Sequence, residues 1–306
     1  MENIMNPGAT LTLMSPVELQ EGVASLSKGA YFKEASLDMT LSILTESAAQ
    51  MSGVERVGIW ALTDGRQELR CLDMYALSLR KHSRGECFRA SQYPNYFRAL
   101  TNEGSIAADD AYFHPSTAEF AVDYLPKNKI TAMLDTPIHI RGELQGVLCL
   151  EQVGSRQPWT TSHRLFANAV ANLVTLALVE YEAGEARKEA LAANERLQAV
   201  FEASRDALLL ADGESGLILD ANRQAERLFG CTRRDLVGKH QWQLHPKAVE
   251  GSVSKEFRQM ISGQLQTAVV TEIQRCDGSV RSVEITSEVA DLSDGRRLAL
   301  GVFRPI

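Results

Sequence analysis

The sequence lacks the clustered cysteines and histidines that build metal sites. Its five cysteines, Cys71, Cys87, Cys149, Cys231 and Cys276, are scattered along the chain, and no two of them form a CxxC pair. A structural zinc site needs thiolates or imidazoles at short spacing, so the sequence predicts no metal site. We expect buried, reduced thiols, as is usual in a cytosolic protein.

An excess of positive charge is also missing. The chain has 32 Lys and Arg residues against 39 Asp and Glu residues, which gives a net charge of −7. A protein dedicated to nucleic acid usually presents a basic face to the phosphates. The balance therefore argues against nucleic-acid binding and favours a small ligand or a protein partner.

Long hydrophobic runs are absent as well. The most apolar stretch, Ala169 to Val179, has about half of the ~20 residues needed to cross a bilayer, and Asn172 and Thr175 interrupt it. Residues 1–16 lack the basic start and apolar core of a signal peptide. We expect a cytoplasmic protein without membrane contacts, in which residues 1–16 are a flexible lead-in.

The length of the chain, 306 residues, is about twice that of a usual domain, so two domains are expected. In the first half, Val17 to Met51 has helical spacing, whereas Val54 to Leu62 and Glu68 to Ala76 have the pattern of a β-hairpin. Two more strands, Ala132 to Ile140 and Leu144 to Val153, flank a tight turn. The aromatic-rich region between these hairpins has no clear pattern.

The second half contains two short strands, short helices and three closing strands. The closing strands are Ala268 to Arg275, Val280 to Ala290 and Arg297 to Phe303, and Asp-Gly turns join them. Both halves therefore predict an α+β fold in which an antiparallel sheet is flanked by helices on one side.

A long helix is predicted between the two halves. Two rows of mostly small or apolar residues recur along it every seven residues, the first being Ala169, Leu176, Ala183, Ala190 and Leu197, and the second Asn172, Val179, Ala186, Ala193 and Val200. Such a repeat is typical of the seam of a coiled coil. A helix that only caps the first domain explains Leu165 to Val179 equally well, but not the pattern beyond Ala190. Gly184 costs about 1 kcal/mol relative to Ala, so the seam is weak and suits a helix that shifts between two arrangements.

Several segments resemble two known families. Ile130 to Ile138, Gly142 to Glu151 and Trp159-Thr160 resemble a bacterial GAF domain, and this resemblance extends from about Phe32 to Glu180. Residues from Glu202 to Arg304 resemble a PAS domain. The matching PAS segments are Ile218 to Asn222, Phe229-Gly230, Leu236 to Lys239, Leu244-His245-Pro246 and Arg275 to Ser279.

A GAF–PAS pair resembles the sensory half of two-component sensor histidine kinases and of cyclic-di-GMP enzymes. The resemblance implies a GAF-like domain at 17–161, a signalling helix at 162–201 that pairs in a homodimer, and a PAS-like domain at 202–306. It also implies a small molecule or cofactor between the sheet and helices of either domain. No kinase His box, GGDEF, EAL or helix-turn-helix motif is present. We therefore expect no catalytic centre, and output through a further domain or a partner protein.

Nine residues are candidates for contact with a ligand. In the GAF-like domain they are Trp60, Phe113, Phe120 and Tyr124, and in the PAS-like domain Asn222, Phe229, Trp242, His245 and Arg275. Each has a structural alternative. The aromatic residues can be core, Asn222 a helix cap, His245 part of a Leu-His-Pro turn, and Arg275 a surface partner of Glu284.

The cofactor stays unknown at this point. His245 is the candidate axial ligand for haem, but no motif supports haem, flavin or bilin: the chain has no Cys-His dipeptide and no Asn-Cys-Arg setting. Two other functions remain open, a ligand-free dimerisation scaffold and a GAF-type methionine sulfoxide reductase. The reductase would need an accessible thiol of low pKa and a resolving partner, for which Cys87 and Cys149 are the candidates.

Overall fold

The computed structural model of the protein describes residues 15–29, 35–102, 104–154, 158–264 and 268–306. The chain divides into two compact units, Met1–Arg187 and Lys188–Ile306. The lead-in predicted for residues 1–16 lies, up to residue 14, outside the described residues. Ser15 caps the first helix, because its hydroxyl accepts a hydrogen bond from the Glu18 N–H and its own N–H donates to the Glu18 carboxylate.

The described part of the first unit contains four helices, seven strands and the start of a long fifth helix. The helices are α1 (Pro16–Ser27), α2 (Leu37–Ser52), α3 (Pro94–Asn102) and α4 (Tyr124–Asn128). The strands are β1 (Arg56–Thr63), β2 (Glu68–Ala76), β3 (Lys81–Ser83), β4 (Cys87–Arg89), β5 (Ile106–Ala108), β6 (Ile130–Ile140) and β7 (Glu143–Val153). The helical pattern predicted over Val17 to Met51 therefore falls in two helices.

The strands of the first unit form one antiparallel sheet in the order β3-β2-β1-β7-β6-β5, and β4 also pairs with β2. Alternate residues of a strand face opposite sides of a sheet. In β7, Leu148 and Leu150 accordingly belong to one hydrophobic core, and Val147 and Cys149 to another.

Both faces of this sheet are covered, so the expectation of helices on one side is wrong for the first unit. Leu44 of α2 and Phe166 and Val170 of the long helix lie in the core on one face. Tyr96 of α3 and Leu125 of α4 lie in the core on the other face. The second layer comes from the aromatic-rich region, whose short helices are too brief to produce a periodic pattern.

The second unit contains a five-stranded antiparallel sheet in the order β10-β11-β12-β8-β9. Its strands are β8 (Ala207–Asp212), β9 (Ile218–Ala221), β10 (Val269–Gln274), β11 (Val280–Asp291) and β12 (Arg297–Pro305). Its helices are α6 (Arg223–Phe229), α7 (Arg233–Leu236) and α8 (Glu250–Ile261), with a 3-10 turn at Gln241–Leu244. The mixed α+β architecture predicted from the sequence is confirmed.

The long helix α5 (Thr161–Ala203) has two different halves. Its buried residues lie between His163 and Ala177, and most of them join the core of the first unit. Beyond that point, Leu197 and Val200 are 71% and 72% exposed. By length and composition α5 could cross a membrane, but we interpret it as a core helix because its most apolar part packs in the first unit.

A disulfide corrects one prediction about the cysteines. Cys231 follows α6, Cys276 lies in the turn between β10 and β11, and their sulfur atoms are bonded. The expectation of reduced thiols is therefore wrong for this pair, because the fold brings together two residues 45 positions apart. Cys71 and Cys149 are free and buried as expected, and Cys87 is free and half-buried.

We predict that Cys231→Ser lowers the free energy of unfolding by about 2–4 kcal/mol under oxidising conditions, because the cross-link restricts the unfolded chain. Urea unfolding, followed by a spectroscopic signal of the second unit with and without reductant, measures this free energy. Cys87→Ser is the matched control and should not lower the free energy of unfolding by a comparable amount. Alkylation of all five cysteines in denatured, unreduced protein would contradict the prediction.

Candidate ligand site

The aromatic residues predicted to line a pocket in the first unit lie in a buried cluster. Trp60 stacks on Phe88 with ring centroids 4.5 Å apart, and the Phe120 and Tyr124 rings are 5.8 Å apart. Phe88 lies between them, 4.9 Å from Phe120 and 4.8 Å from Tyr124. Rings at these distances pack as core, so a ligand pocket among them stays a prediction.

Phe113 does not belong to this cluster. Its side chain is 79% exposed, in a turn where its N–H bonds to the Asp110 carbonyl oxygen. A residue in an irregular turn has no period from which its direction can be inferred, so the contact of Phe113 with a ligand stays a prediction.

A buried carboxyl group lies on the same face of the sheet as the aromatic cluster. Asp135 on β6 is fully buried, and its Oδ2 accepts a hydrogen bond of 2.9 Å from the Tyr96 hydroxyl. Its Oδ1 has no hydrogen-bond partner. Burial raises the pKa of Asp135 to about 7; hydrogen bonds from Cys149 and Tyr96 oppose this rise and the Glu151 charge adds to it.

Glu151 holds the neighbouring helix α4 against the sheet. Its carboxylate accepts a hydrogen bond of 2.7 Å from the Tyr124 hydroxyl and another of 2.7 Å from the Arg56 guanidinium. The Arg56 guanidinium also donates to the Tyr124 hydroxyl at 3.3 Å. A buried charge with these partners is satisfied, so Tyr124 has a structural role in this arrangement.

The free thiols of the first unit are poor nucleophiles. Burial raises the pKa of Cys71 to about 12, and it raises the pKa of Cys149 well above its ordinary value. The pKa of Cys87 is also raised, first by burial and then by its hydrogen bond with Glu68. Thiol catalysis requires a lowered pKa, so these environments disfavour the reductase alternative.

The second unit contains a cavity of about 200 Å³. It lies between the sheet, α8 and the 3-10 turn, and its walls include the apolar side chains Leu209, Ile218, Leu244, Phe257 and Phe303. Polar residues also line it, namely Gln241, His245, Glu256, Thr271, Thr286, Ser287 and Glu288. A mostly apolar cavity with a few polar groups is the usual form of a small-molecule site.

His245 is the one predicted ligand residue that lines this cavity. It is only 6% exposed, and its Nδ1 lies 2.7 Å from the Glu272 carbonyl oxygen. Because a carbonyl only accepts hydrogen bonds, Nδ1 carries a proton and Nε2 holds the lone pair of the neutral ring. Burial lowers the pKa of His245, although the Glu272 contact opposes this effect. The neutral ring of this lining residue therefore has Nε2 as its hydrogen-bond acceptor.

Asn222 is a structural residue at the junction of three segments. Its Oδ1 accepts hydrogen bonds of 2.9 Å from the N–H groups of Leu208 and Ala225, and thereby caps α6. Its Nδ2 donates to the carbonyl oxygens of Phe201, in the last turn of α5, and Asp206. With four bonds the buried side chain is fully satisfied, and it ties the end of α5 to the sheet.

Phe229, Trp242 and Arg275 lie outside the cavity. Phe229 is buried against Phe303, with ring centroids 5.7 Å apart, and Trp242 lies beside His240. The Arg275 guanidinium bonds to the Leu228 carbonyl oxygen at 3.0 Å and pairs with Asp277, not with Glu284. Phe229 and Arg275 hold α6 and the β10–β11 turn through these contacts, and the contact of all three residues with a ligand stays a prediction.

Sequence reasoning missed Gln241, Glu256 and Glu288. Each is a single polar residue in an α+β domain, where it usually belongs to a solvated face. Their shared cavity arises only when the 3-10 turn, α8 and β11 come together. No spacing along the chain could have predicted this group.

The comparisons with known families agree with this architecture. Residues 36–178 match the GAF domain model, and residues 195–306 match the model of the PAS fold. The chain therefore contains a GAF domain followed by a PAS domain. Domains of both families are typically regulatory, signal-sensing modules of the cytoplasm.

One curated relative is an uncharacterised protein from Azorhizobium caulinodans, 26% identical over 182 residues. The match covers 58% of this chain and 24% of the relative, so the chain spans about a quarter of that protein's length. Among solved structures, the GAF domain of a phosphoenolpyruvate-protein phosphotransferase from Coxiella burnetii is 15% identical with a TM-score of 0.47, covering 56% of this chain and 99% of that one. The PAS domain of an HTR-like protein from Haloarcula marismortui is 23% identical with a TM-score of 0.34, covering 40% and 99%.

We predict that the free energy of unfolding of the Asp135→Asn variant, relative to that of the wild type, increases as the pH rises. The native carboxyl, with a pKa of about 7 against 3.8, keeps a proton that the unfolded chain has lost. The native state of the wild type therefore loses stability through this window, by about 2–3 kcal/mol between pH 5 and pH 8. Urea unfolding at the two pH values measures the difference.

Asp73→Asn is the matched control for this experiment. Asp73 is equally buried but fully partnered, since its carboxylate contacts Thr45, His82 and Arg84. Its substitution should destabilise the domain. A stability difference between Asp135→Asn and wild type that is identical at both pH values would refute the prediction.

Proposed function

We propose that this chain is a cytoplasmic signal-transduction module that binds a small molecule in its PAS cavity. Binding is relayed through a dimeric α5 helix to an output domain or a partner protein. The observation that carries the proposal is the PAS cavity, because polar residues line its largely apolar walls. Gln241, which is only 9% exposed, is one of them. A polar side chain at an apolar cavity gains free energy when a ligand forms a hydrogen bond with it.

The exposed half of α5 supports a homodimer. Its heptad positions include Leu176, Val179, Leu197 and Val200, which are 42%, 38%, 71% and 72% exposed in the single chain. A helix with apolar residues at this spacing is stabilised when a second helix covers them. The small residues between them, such as Ala183 and Ala190, allow close approach of the two helices.

The charges beside the seam favour a parallel, in-register pair. Glu182 precedes the heptad position of Ala183, and Arg187 follows that of Ala186. In a parallel coiled coil, Glu182 of one chain lies opposite Arg187 of the other, and the symmetry of the dimer gives two such pairs. Opposite charges at these positions stabilise the dimer and set its register.

Asn222 supplies a physical link between the cavity-bearing sheet and the helix. It bonds to the Phe201 carbonyl of α5 and to the Leu208 N–H of β8, and the next residue of β8, Leu209, lines the cavity. A ligand that favours one position of β8 would therefore favour one arrangement of the end of α5. Such a relay needs a difference in ligand affinity between two arrangements.

In this proposal the GAF domain has a structural role and does not bind the ligand. Its candidate residues Trp60, Phe120 and Tyr124 pack on one another and on Phe88. This packing favours a structural role in the dimer, as in the scaffold alternative, with ligand binding assigned to the PAS domain.

The first test of the proposal is native mass spectrometry of the protein purified from its own host. We expect a dimer that carries an added mass. Ala299→Phe should lose that mass without losing the dimer, because Ala299 is buried and lines the cavity. Ala290→Phe, on the exposed side of β11, is the matched control and should keep it. A wild-type dimer of bare polypeptide would instead support the scaffold function.

A charge exchange tests the dimer. Glu182→Arg or Arg187→Glu alone should weaken dimerisation about tenfold, because each places like charges opposite one another twice per dimer. The double variant should restore it, since both pairs become Arg–Glu again. Sedimentation equilibrium measures the dissociation constant, and Glu195→Arg, on the outer face, is the control. A double variant as weak as the single ones would rule out the parallel register.

A further inference from the structure

We infer that the Cys231–Cys276 disulfide is a thiol–disulfide exchange site, which small cellular thiols open by attack on Cys276 and their disulfides close again. Opening loosens the attachment of the β10–β11 turn to the end of α6. This inference goes beyond the proposed function, because it concerns residues outside the cavity lining and requires no ligand. It is carried by the exposure of the two cysteines, by the contacts that bring them together and by their position at one end of α6.

The disulfide is within reach of a dissolved thiol. Cys276 is exposed in the β10–β11 turn, whereas Cys231 is half-buried and lines a surface groove together with Arg227 and Asp235. In thiol–disulfide exchange a thiolate attacks a sulfur atom directly, so the rate depends on access to that sulfur. A disulfide inside a core is protected from this attack, but the exposed residue Cys276 is open to it.

Hydrogen bonds hold the two cysteines side by side independently of the disulfide. The Cys276 N–H donates to the Phe229 carbonyl oxygen at 3.0 Å, and the Arg275 Nε donates to the Leu228 carbonyl oxygen, also at 3.0 Å. The Cα atoms of the two cysteines lie 5.8 Å apart, within the usual range for disulfides. Because these contacts do not involve sulfur, the thiols stay close together after reduction and the bond can form again.

The class of protein favours a disulfide that opens. GAF and PAS domains typically act in the cytoplasm, where thiol pools keep most cysteines reduced and the disulfides that form are usually catalytic or redox-sensing. The other three cysteines suit such a function poorly, since Cys71 and Cys149 are buried and burial raises the pKa of Cys87. The Cys231–Cys276 pair is therefore the best placed of the five cysteines to respond to the thiol redox state.

The chemical step is a two-electron exchange with two molecules of a small thiol. The thiolate of the first molecule attacks the Cys276 sulfur, the S–S bond breaks, and Cys231 leaves as a thiolate that takes a proton from water. The second thiolate attacks the mixed disulfide on Cys276 and releases the disulfide of the small thiol. The cysteine pair gains the two electrons that the small thiols lose, and oxidation of the pair by that small disulfide follows the same steps in reverse.

Opening the disulfide weakens the hold on one end of α6. The turn is attached to α6 by the covalent link and the hydrogen bonds in the oxidised protein, and by the hydrogen bonds alone in the reduced protein. Since β10 is an edge strand that pairs with β11, the reduced turn detaches more often. At the other end of α6, Asn222 caps the helix and bonds to the Phe201 carbonyl oxygen of α5. The seven residues of α6 thus connect the redox state of the pair to the long helix.

Titration of the folded chain with mixtures of reduced and oxidised glutathione tests the exchange. Acid quenching, alkylation and peptide mapping by mass spectrometry report the state of each cysteine. We expect at least half of the pair to be reduced within the range of glutathione ratios of a cytosol, and to be oxidised again by added oxidised glutathione, while the far-UV circular dichroism stays unchanged. A pair that is reduced only after unfolding in urea is a purely structural cross-link and would overturn the inference.

Two single variants identify the sulfur that is attacked. Cys231→Ser leaves Cys276 without a resolving thiol, so a mixed disulfide with glutathione should accumulate on Cys276 when oxidised glutathione is added. Cys276→Ser is the matched variant, in which capture on the half-buried Cys231 should be at least about fivefold slower. Cys87→Ser should leave the titration of the wild-type pair unchanged. Capture on Cys231 that is as fast as on Cys276 would contradict attack at the exposed sulfur.

Hydrogen exchange measures the loosening of the turn. Amides of the β10–β11 turn, including the Cys276 N–H that bonds to Phe229, should exchange at least about tenfold faster in the reduced protein than in the oxidised protein. The amides that pair β8 with β12 are the internal control and should exchange equally in both states. If the turn exchanges at the same rate in both states, the opening of the disulfide does not loosen it and the inference fails.

Discussion

The exposed apolar row on α5 is the constraint on which this architecture depends. A 43-residue helix is stable when a neighbour covers its apolar positions, and the core of the GAF domain covers only the first half. From Leu176 to Val200 the seven-residue repeat continues in solvent, with alanines at its centre. In the proposed dimer a second copy of the helix covers these positions. Small side chains at the seam would keep the proposed pair weak enough to be shifted by a few kcal/mol at the PAS end.

The PAS domain contains the polar groups through which the proposal couples a ligand to the arrangement of α5. Asn222 uses all four of its hydrogen bonds within the fold, and in the proposed relay it couples the position of β8 to the end of α5. Gln241 and His245 are buried beside a cavity and keep unused hydrogen-bonding capacity. In the GAF domain the aromatic side chains pack on one another and Glu151 is bonded on both oxygens, whereas Asp135 Oδ1 and Trp60 Nε1 are buried without partners.

The sequence predicted what local periodicity and turn chemistry determine. The hairpins around Thr63 and Gly142, the three-strand meander and the long helix follow from spacing alone, and their pairing is antiparallel as expected. Contacts between segments that are distant in the sequence could not be predicted from local patterns. The second layer on the GAF sheet, the Cys231–Cys276 disulfide and the grouping of Gln241, Glu256 and Glu288 all require the tertiary fold. Single aromatic residues in loops, such as Phe113, carry no information on which way they face.

The central claim is that the occupancy of the PAS cavity and the packing of a parallel α5 pair are coupled. Spin labels at position 195 of both chains, on the outer face of the coil, report the distance between the two helices by electron paramagnetic resonance. The account predicts one narrow distribution of distances in protein from its own host, and a different distance when Ala299→Phe fills the cavity. The same distance in both proteins, or no interaction between the labels, would contradict it.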